Sequence, residues 1–200
     1  MLMKLVCFGD SITAGHEGLN EPMLTAFLKK KLPPTVEIIN AGVSGDTTVQ
    51  ALARIVTDVI SHQPDLVTVL FGANDVATHK RVEQDDFAHK IDKIASLISP
   101  KKTILITPAP VDESLEQNRT NEDLKAYSDC IKEIAQRRDC HFIDFFTTFF
   151  SKPDYQWRLK GTRDDGLHFG EKGYDLLSDL IAEKIAALTK AGSVFKQSGN

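Results

Sequence analysis

Four short segments carry the side chains that could do chemistry together. Gly9-Asp10-Ser11-Ile12-Thr13 offers a hydroxyl, and Gly42-Val43-Ser44-Gly45-Asp46-Thr47 offers backbone amides. Gly72-Ala73-Asn74-Asp75 offers a carboxamide, and Asp165-Gly166-Leu167-His168 an imidazole with a carboxylate three residues before it. A serine hydroxyl is too weak an acid to attack an acyl carbon unaided, so Ser11 requires a base within hydrogen-bond reach. His168 meets that need, because an ordinary histidine pKa of about 6.5 lets it take the proton and return it to a leaving alcohol near neutral pH. Gly166 permits a tight turn, so the Asp165 carboxylate can meet one ring nitrogen while the other faces Ser11. The oxygen that becomes negative in a tetrahedral intermediate needs donors fixed in advance. The backbone N–H groups of Ser11 and Gly45 and the amide of Asn74 are the candidates, Gly45 because a residue without a side chain lets its backbone come close. The chemistry such a set predicts is hydrolysis of an ester through an acyl-enzyme on Ser11.

Such a set works only if the fold gathers it. Short β-branched or apolar runs at residues 4–8, 36–40, 66–71, 103–107 and 141–145 alternate with longer stretches of helical period. Residues 47–62 place Val49, Leu52, Ala53, Val56, Val59 and Ile60 on one face, and residues 85–98 do the same with Phe87, Ile91, Ile94 and Ile98. Residues 121–137 and 171–188 read as two further helices, and another opens after Asn20-Glu21-Pro22 and stops at Pro33-Pro34. Strands apolar on both faces and separated by helices must be parallel and covered on each side. The expectation is an α/β fold, a three-layer α/β/α sandwich of flavodoxin-like type. Its five-stranded, mostly parallel sheet takes the order 2-1-3-4-5. Residues 1–190 read as a single domain and 191–200 as a loose tail. Ligands bind beyond the carboxyl ends of such strands, where all four segments fall.

Taken singly, each motif has a plainer reading. Asp10 and Asp75 are first of all acids at helix N-termini, favoured by the dipole, and only second supports of the site. His16 and His79 follow the site loops but belong to no comparable constellation. Thr107-Pro108-Ala109-Pro110 reads as a rigid pocket wall, and the stretch Phe145, Phe146, Phe149, Phe150, Tyr155 and Trp157 as core with some residues free to line a pocket. What outweighs these readings is the joint arrival of compatible roles at one sheet edge.

The 42% hydrophobic and 26% charged content is that of a globular protein, and a net charge of −4 argues against a nucleic-acid partner. Three cysteines without a C-x-x-C spacing give neither a disulfide framework nor a zinc site, and a reducing, cytoplasmic setting is expected; the candidate chemistry calls for no cofactor. The apolar run before Gly9 is too short for a signal peptide, and no run reaches the ~18 residues of a membrane anchor. Three rivals share the topology or the site. A phospho-accepting receiver domain needs an acidic pair after strand one and an Asp ending strand three, where Phe71-Gly72 stands. A nucleotide-binding flavodoxin-like module lacks its glycine-rich loop. A catalytically silent binder of acylated ligands differs only in activity.

The four segments together resemble the SGNH, or GDSL-type, hydrolases. Phe-Gly-Asp-Ser-Ile-Thr is similar to the nucleophile segment, Ser-Gly-Asp-Thr carries the glycine, Gly-Ala-Asn-Asp the asparagine, and Asp165 with His168 the Asp-x-x-His, all in family order. Ile12 stands where the family name has leucine. The resemblance implies ester or thioester hydrolysis without a metal, with Ser11, Gly45 and Asn74 as the oxyanion site and a small-molecule ester as partner. Leu-Phe-Gly-Ala-Asn-Asp, Ile-Thr-Pro-Ala-Pro and Asp-Gly-Leu-His-Phe-Gly-Glu-Lys-Gly-Tyr look most like the isoamyl-acetate-hydrolysing branch.

Overall fold

In a computed structural model describing residues 2–192, five strands form one sheet. They are β1 (Met3–Gly9), β2 (Val36–Gly42), β3 (Leu66–Leu70), β4 (Thr103–Ile106) and β5 (His141–Ile143), all neighbours parallel, in the order β2-β1-β3-β4-β5. The strands are apolar on both faces because both are covered. Val6, Phe8, Val67, Val69 and Leu105 point into one core, while their neighbours Leu5, Cys7, Leu66, Leu70, Ile104 and Ile106 point into the other.

The first core is closed by α3 (Thr48–Asp58), α4 (Gln84–Ile98) and α5 (Asn121–Arg138). The second is closed by α2 (Met23–Lys31), α6 (Phe145–Phe150) and α8 (Glu171–Lys190). Two single-turn helices, α1 (Ser11–Ala14) and α7 (Tyr155–Arg158), were not evident in the periodicity. Residues 191 and 192 form a turn after α8, and the tail expected at 191–200 otherwise lies outside the described residues.

Two elements depart from the sequence pattern. The fifth strand stops at Ile143 rather than at residue 145, because the Asp144 side chain accepts the Thr147 N–H at 3.0 Å and caps α6 there. The buried face of α3 is narrower than its apolar residues suggest: Ala51, Ile55 and Val59 are buried, Leu52 and Ile60 are half-buried, and Val49 and Val56 face solvent at 45% and 61% exposure. Within the aromatic stretch, Phe145, Phe146 and Phe149 are core, whereas Phe150 and Trp157 are exposed. The Lys172 Nζ sits 3.6 Å above the Trp157 ring.

Ile55→Ala is therefore expected to cost about 2–5 kcal/mol in urea unfolding. Val56→Ala, one residue along, should stay within about 0.5 kcal/mol. Similar losses at both positions would contradict this placement of the helix.

Candidate active site

The register brings β1, β2 and β3 to an end together: Gly9 lies opposite Gly42 on one side and Leu70 on the other. Three loops therefore leave the sheet side by side. In the first, the Asp10 side chain accepts the Ile12 N–H at 3.0 Å and caps α1, which makes Ser11 the first helical residue. The Tyr174 hydroxyl donates to the Ile12 carbonyl at 2.8 Å and ties that turn to α8.

Ser11 Oγ lies 2.9 Å from His168 Nε2, and His168 Nδ1 lies 2.7 Å from Asp165 Oδ2. The other Asp165 oxygen accepts the backbone N–H groups of Leu167 at 3.0 Å and His168 at 2.8 Å. This tight turn depends on Gly166 at φ +75°, where an added Cβ would stand 2.8 Å from the Asp112 carbonyl oxygen. Burial works against the Asp165 charge, but the hydrogen bonds from His168 and Leu167 outweigh it and hold the carboxyl below its ordinary pKa. An ionised Asp165 keeps the ring proton on Nδ1, which leaves Nε2 to accept from Ser11.

The loop after β2 is shaped by two cations. Arg54 donates to Asp46 at 2.6 Å, to the Ala41 carbonyl at 2.8 Å and to the Gly9 carbonyl at 2.9 Å, and its guanidinium lies 4.6 Å from the Phe8 ring centre. Lys80 donates to the Gly45 carbonyl at 2.8 Å, over a residue held at φ +86°. Among the described residues, neither the Ser11 nor the Gly45 backbone N–H is taken by a backbone acceptor.

Asn74, in the loop after β3, is held at both ends of its carboxamide. Its Nδ2 donates to the Asp46 carbonyl at 3.0 Å and to Asp10 at 3.3 Å, and its Oδ1 accepts from Arg119 at 3.2 Å. Arg119 also donates to the Ala73 carbonyl at 2.5 Å and pairs with Glu116 at 3.0 Å, both side chains nearly buried. Asp75 accepts the N–H and hydroxyl of Thr48 at 2.9 and 2.6 Å, so it holds the N-terminus of α3, the helix that follows the Gly45 loop. Burial pushes its carboxyl pKa up, and its second oxygen has no partner.

Neither Arg54 nor Arg119 was singled out in the sequence, because most of their partners are backbone carbonyls and loop groups that leave no local pattern. His16 makes only a local bond, to the Leu19 carbonyl. Among the described residues, no group of three or more His, Cys, Asp or Glu could hold a metal ion, and no helix is long and apolar enough to cross a membrane.

Burial and the nearby Asp75 charge push the Asp10 pKa up to about 7. In an unfolded chain it lies near about 4, so the folded state favours the neutral acid; its contribution is whole below about 4 and is lost as pH rises to about 7. Asp10→Asn keeps a capping oxygen and removes the titration. Its melting temperature relative to wild type should therefore climb between about pH 5 and about pH 8. A difference that stays flat across that range would contradict the burial of a titrating Asp10.

Residues 7–176 match the GDSL-like Lipase/Acylhydrolase family. The isoamyl acetate-hydrolyzing esterase of Saccharomyces cerevisiae is 29% identical over 206 residues, taking in 91% of this chain and 85% of that one. Thioesterase 1/protease 1/lysophospholipase L1 of Escherichia coli is 26% identical over 190 residues, with 94% and 86% covered. Among solved structures, a lipase/acylhydrolase from Enterococcus faecalis superposes with a TM-score of 0.86 at 32% identity, covering 93% of this chain and 96% of that one. With the family matched across most of its length and the same architecture in a solved relative, the chain belongs to the GDSL-like lipase/acylhydrolase family and is a GDSL-type esterase.

Proposed function

We propose that the protein hydrolyses carboxylic esters of small molecules through an acyl-enzyme on Ser11. The observation that carries this reading is the unbroken line from Ser11 Oγ through His168 to Asp165, at 2.9 and 2.7 Å, beside two backbone N–H groups with no backbone acceptor. His168 Nε2 takes the hydroxyl proton as Ser11 Oγ attacks the acyl carbon. The tetrahedral oxygen is met by the N–H groups of Ser11 and Gly45 and by Asn74 Nδ2, whose longer bond, 3.3 Å to Asp10, is the one an oxyanion would displace. The alcohol leaves with the proton from His168. Water then follows the same path: His168 takes its proton as the water oxygen attacks the acyl carbon, the bond to Ser11 Oγ breaks as His168 returns the proton to that oxygen, and the acid departs.

In this scheme Arg54 and Lys80 hold the Gly45 loop, and Arg119 holds Asn74 so that its N–H groups, not its oxygen, face the site. Asp10 and Asp75 brace the nucleophile turn and the start of α3. The esterase named in yeast acts on an acetate ester, and the bacterial relative is named for thioesters and lysophospholipids; both support an acyl group as the moiety recognised. The free thiols of Cys7, Cys130 and Cys140 are what a reducing compartment preserves, which supports a cytoplasmic setting.

Ser11→Ala or His168→Ala is expected to lower the turnover of a short p-nitrophenyl ester by about 10⁴-fold or more. Asn74→Ala should lower kcat by about 10²- to 10³-fold with KM little changed, because an oxyanion donor acts only in the transition state. Turnover that survives either of the first two changes would refute the proposal.

A further inference from the structure

The turn that follows the nucleophile helix α1 has an unusual occupant. The Leu19 N–H donates to the His16 carbonyl at 2.9 Å, and both residues between them have positive φ, Glu17 at +46° and Gly18 at +87°. Glycine, asparagine and aspartate are the ordinary occupants of such a turn, because they enter the left-handed region at low cost. A glutamate there is strained, and such a residue persists where its surroundings hold it. What holds this one lies 145 residues along the chain: Glu17 Oε2 accepts the Thr162 N–H at 2.7 Å and the Thr162 hydroxyl at 2.8 Å.

We propose that Glu17 is a positioning residue that fastens the loop carrying His168 to the loop carrying Ser11, and so sets the distance over which the proton passes. The claim rests on the Ser11 reading and extends it.

Thr162 follows Gly161, whose backbone lies against the histidine. A Cβ built on Gly161 would stand 2.4 Å from the His168 carbonyl oxygen and 2.8 Å from Glu17 Oε2. Glu17, Gly161 and the His168 backbone therefore meet at one point. Among the described residues, the two bonds to Glu17 are also the only hydrogen bonds that residues 161–164 make. Apart from the Ser11–His168 bond itself, they are the only ones there that join residues 10–22 to residues 159–170.

The remaining ties of His168 run elsewhere. Asp165 grips its ring and its N–H from within the same turn, and the Asp112 N–H donates to the Gly166 carbonyl at 2.8 Å, which ties that turn to the loop after β4. Neither tie reaches the serine loop. Catalysis falls steeply when reacting groups are misplaced by about 1 Å, and the Glu17 carboxylate supplies an independent strut between the two loops. Thr162 is exposed and Glu17 half-buried, so the pair competes with water and contributes little to stability. Its effect falls on alignment.

The test is p-nitrophenyl acetate hydrolysis, with kcat, KM and melting temperature measured for wild type, Ser11→Ala, Glu17→Ala, Glu17→Asn, Glu17→Gln, Thr162→Val and the double variant Glu17→Ala/Thr162→Val. Glu17→Ala is expected to lower kcat by about 10-fold with KM within about 2-fold, since a displaced His168 slows both half-reactions without touching the substrate. Glu17→Asn suits the turn but is one methylene too short, so it should be as slow as Glu17→Ala while melting no lower. Glu17→Gln keeps an acceptor at full reach and should recover most of the lost rate. Thr162→Val should slow wild type by about 2- to 3-fold and Glu17→Ala not at all, because the hydroxyl acts through Glu17. An unchanged kcat in Glu17→Ala, a rate restored by Asn but not by Gln, or a Thr162→Val effect that persists without Glu17 overturns the positioning role while leaving Ser11 as nucleophile. Hydrolysis that persists in Ser11→Ala sinks the nucleophile, and the role of Glu17 with it.

Discussion

Three parallel strands ending at one level is the constraint on which the rest of the site depends. Gly9 opposite Gly42 and Leu70 sets the height at which the first three loops leave the sheet. Crossing from β2 over β1 to β3 makes the serine loop the middle one, with the glycine loop on one flank and the asparagine loop on the other. The Arg54 guanidinium fastens that arrangement. One planar group with several donors spans the carbonyls of Gly9 and Ala41 and the Asp46 carboxylate, a geometry an ammonium cannot reproduce. The fourth segment returns from beyond β5 to place His168 over Ser11.

Behind this arrangement lies a buried polar layer. Asp10, Asn74 and Asp75 are all almost fully buried, and they are joined to Arg119, Thr48 and the Asp46 carbonyl. Such a network fixes those members whose hydrogen bonds are satisfied. The carboxamide of Asn74 is satisfied at both ends, which rules out its flipped orientation: turning it would set Arg119 against an amide N–H. The cost shows in the two carboxylates, whose charges burial disfavours. Disfavoured charges and unmet polar capacity gathered at one edge of the sheet are what a site adapted for reaction, rather than for stability alone, is expected to carry.

Much of this was legible in the sequence because the residues concerned announce themselves locally. The alternation of apolar runs and helical stretches led to the sheet order, and the spacing of Asp165, Gly166 and His168 led to a turn that the structure contains. What escaped was long-range. Arg119 sits in a loop with no period, and its partners in the site, Asn74 and the Ala73 carbonyl, lie 45 and 46 residues away. Arg54 lies on an amphipathic helix, and its partners Gly9, Ala41 and Asp46 come from outside that helix. Val49 and Val56 are apolar and read as part of one face, yet only Ala51, Ile55 and Val59 reach the buried core, and α3 packs chiefly against the adjoining helix α4. The fifth strand ran too far on paper because Asp144 interrupts a Phe-rich run without altering its hydrophobic character, while its capping oxygen ends the strand.

The central claim is that Ser11 is an activated nucleophile, and covalent labelling tests it without knowledge of the natural ester. Purified wild-type protein and Ser11→Ala, treated with a small alkyl fluorophosphonate and weighed intact, should differ by one adduct, located on Ser11 by peptide mapping and present only in wild type. A wild-type protein that gains no mass, or a Ser11→Ala variant that gains as much, would contradict the account.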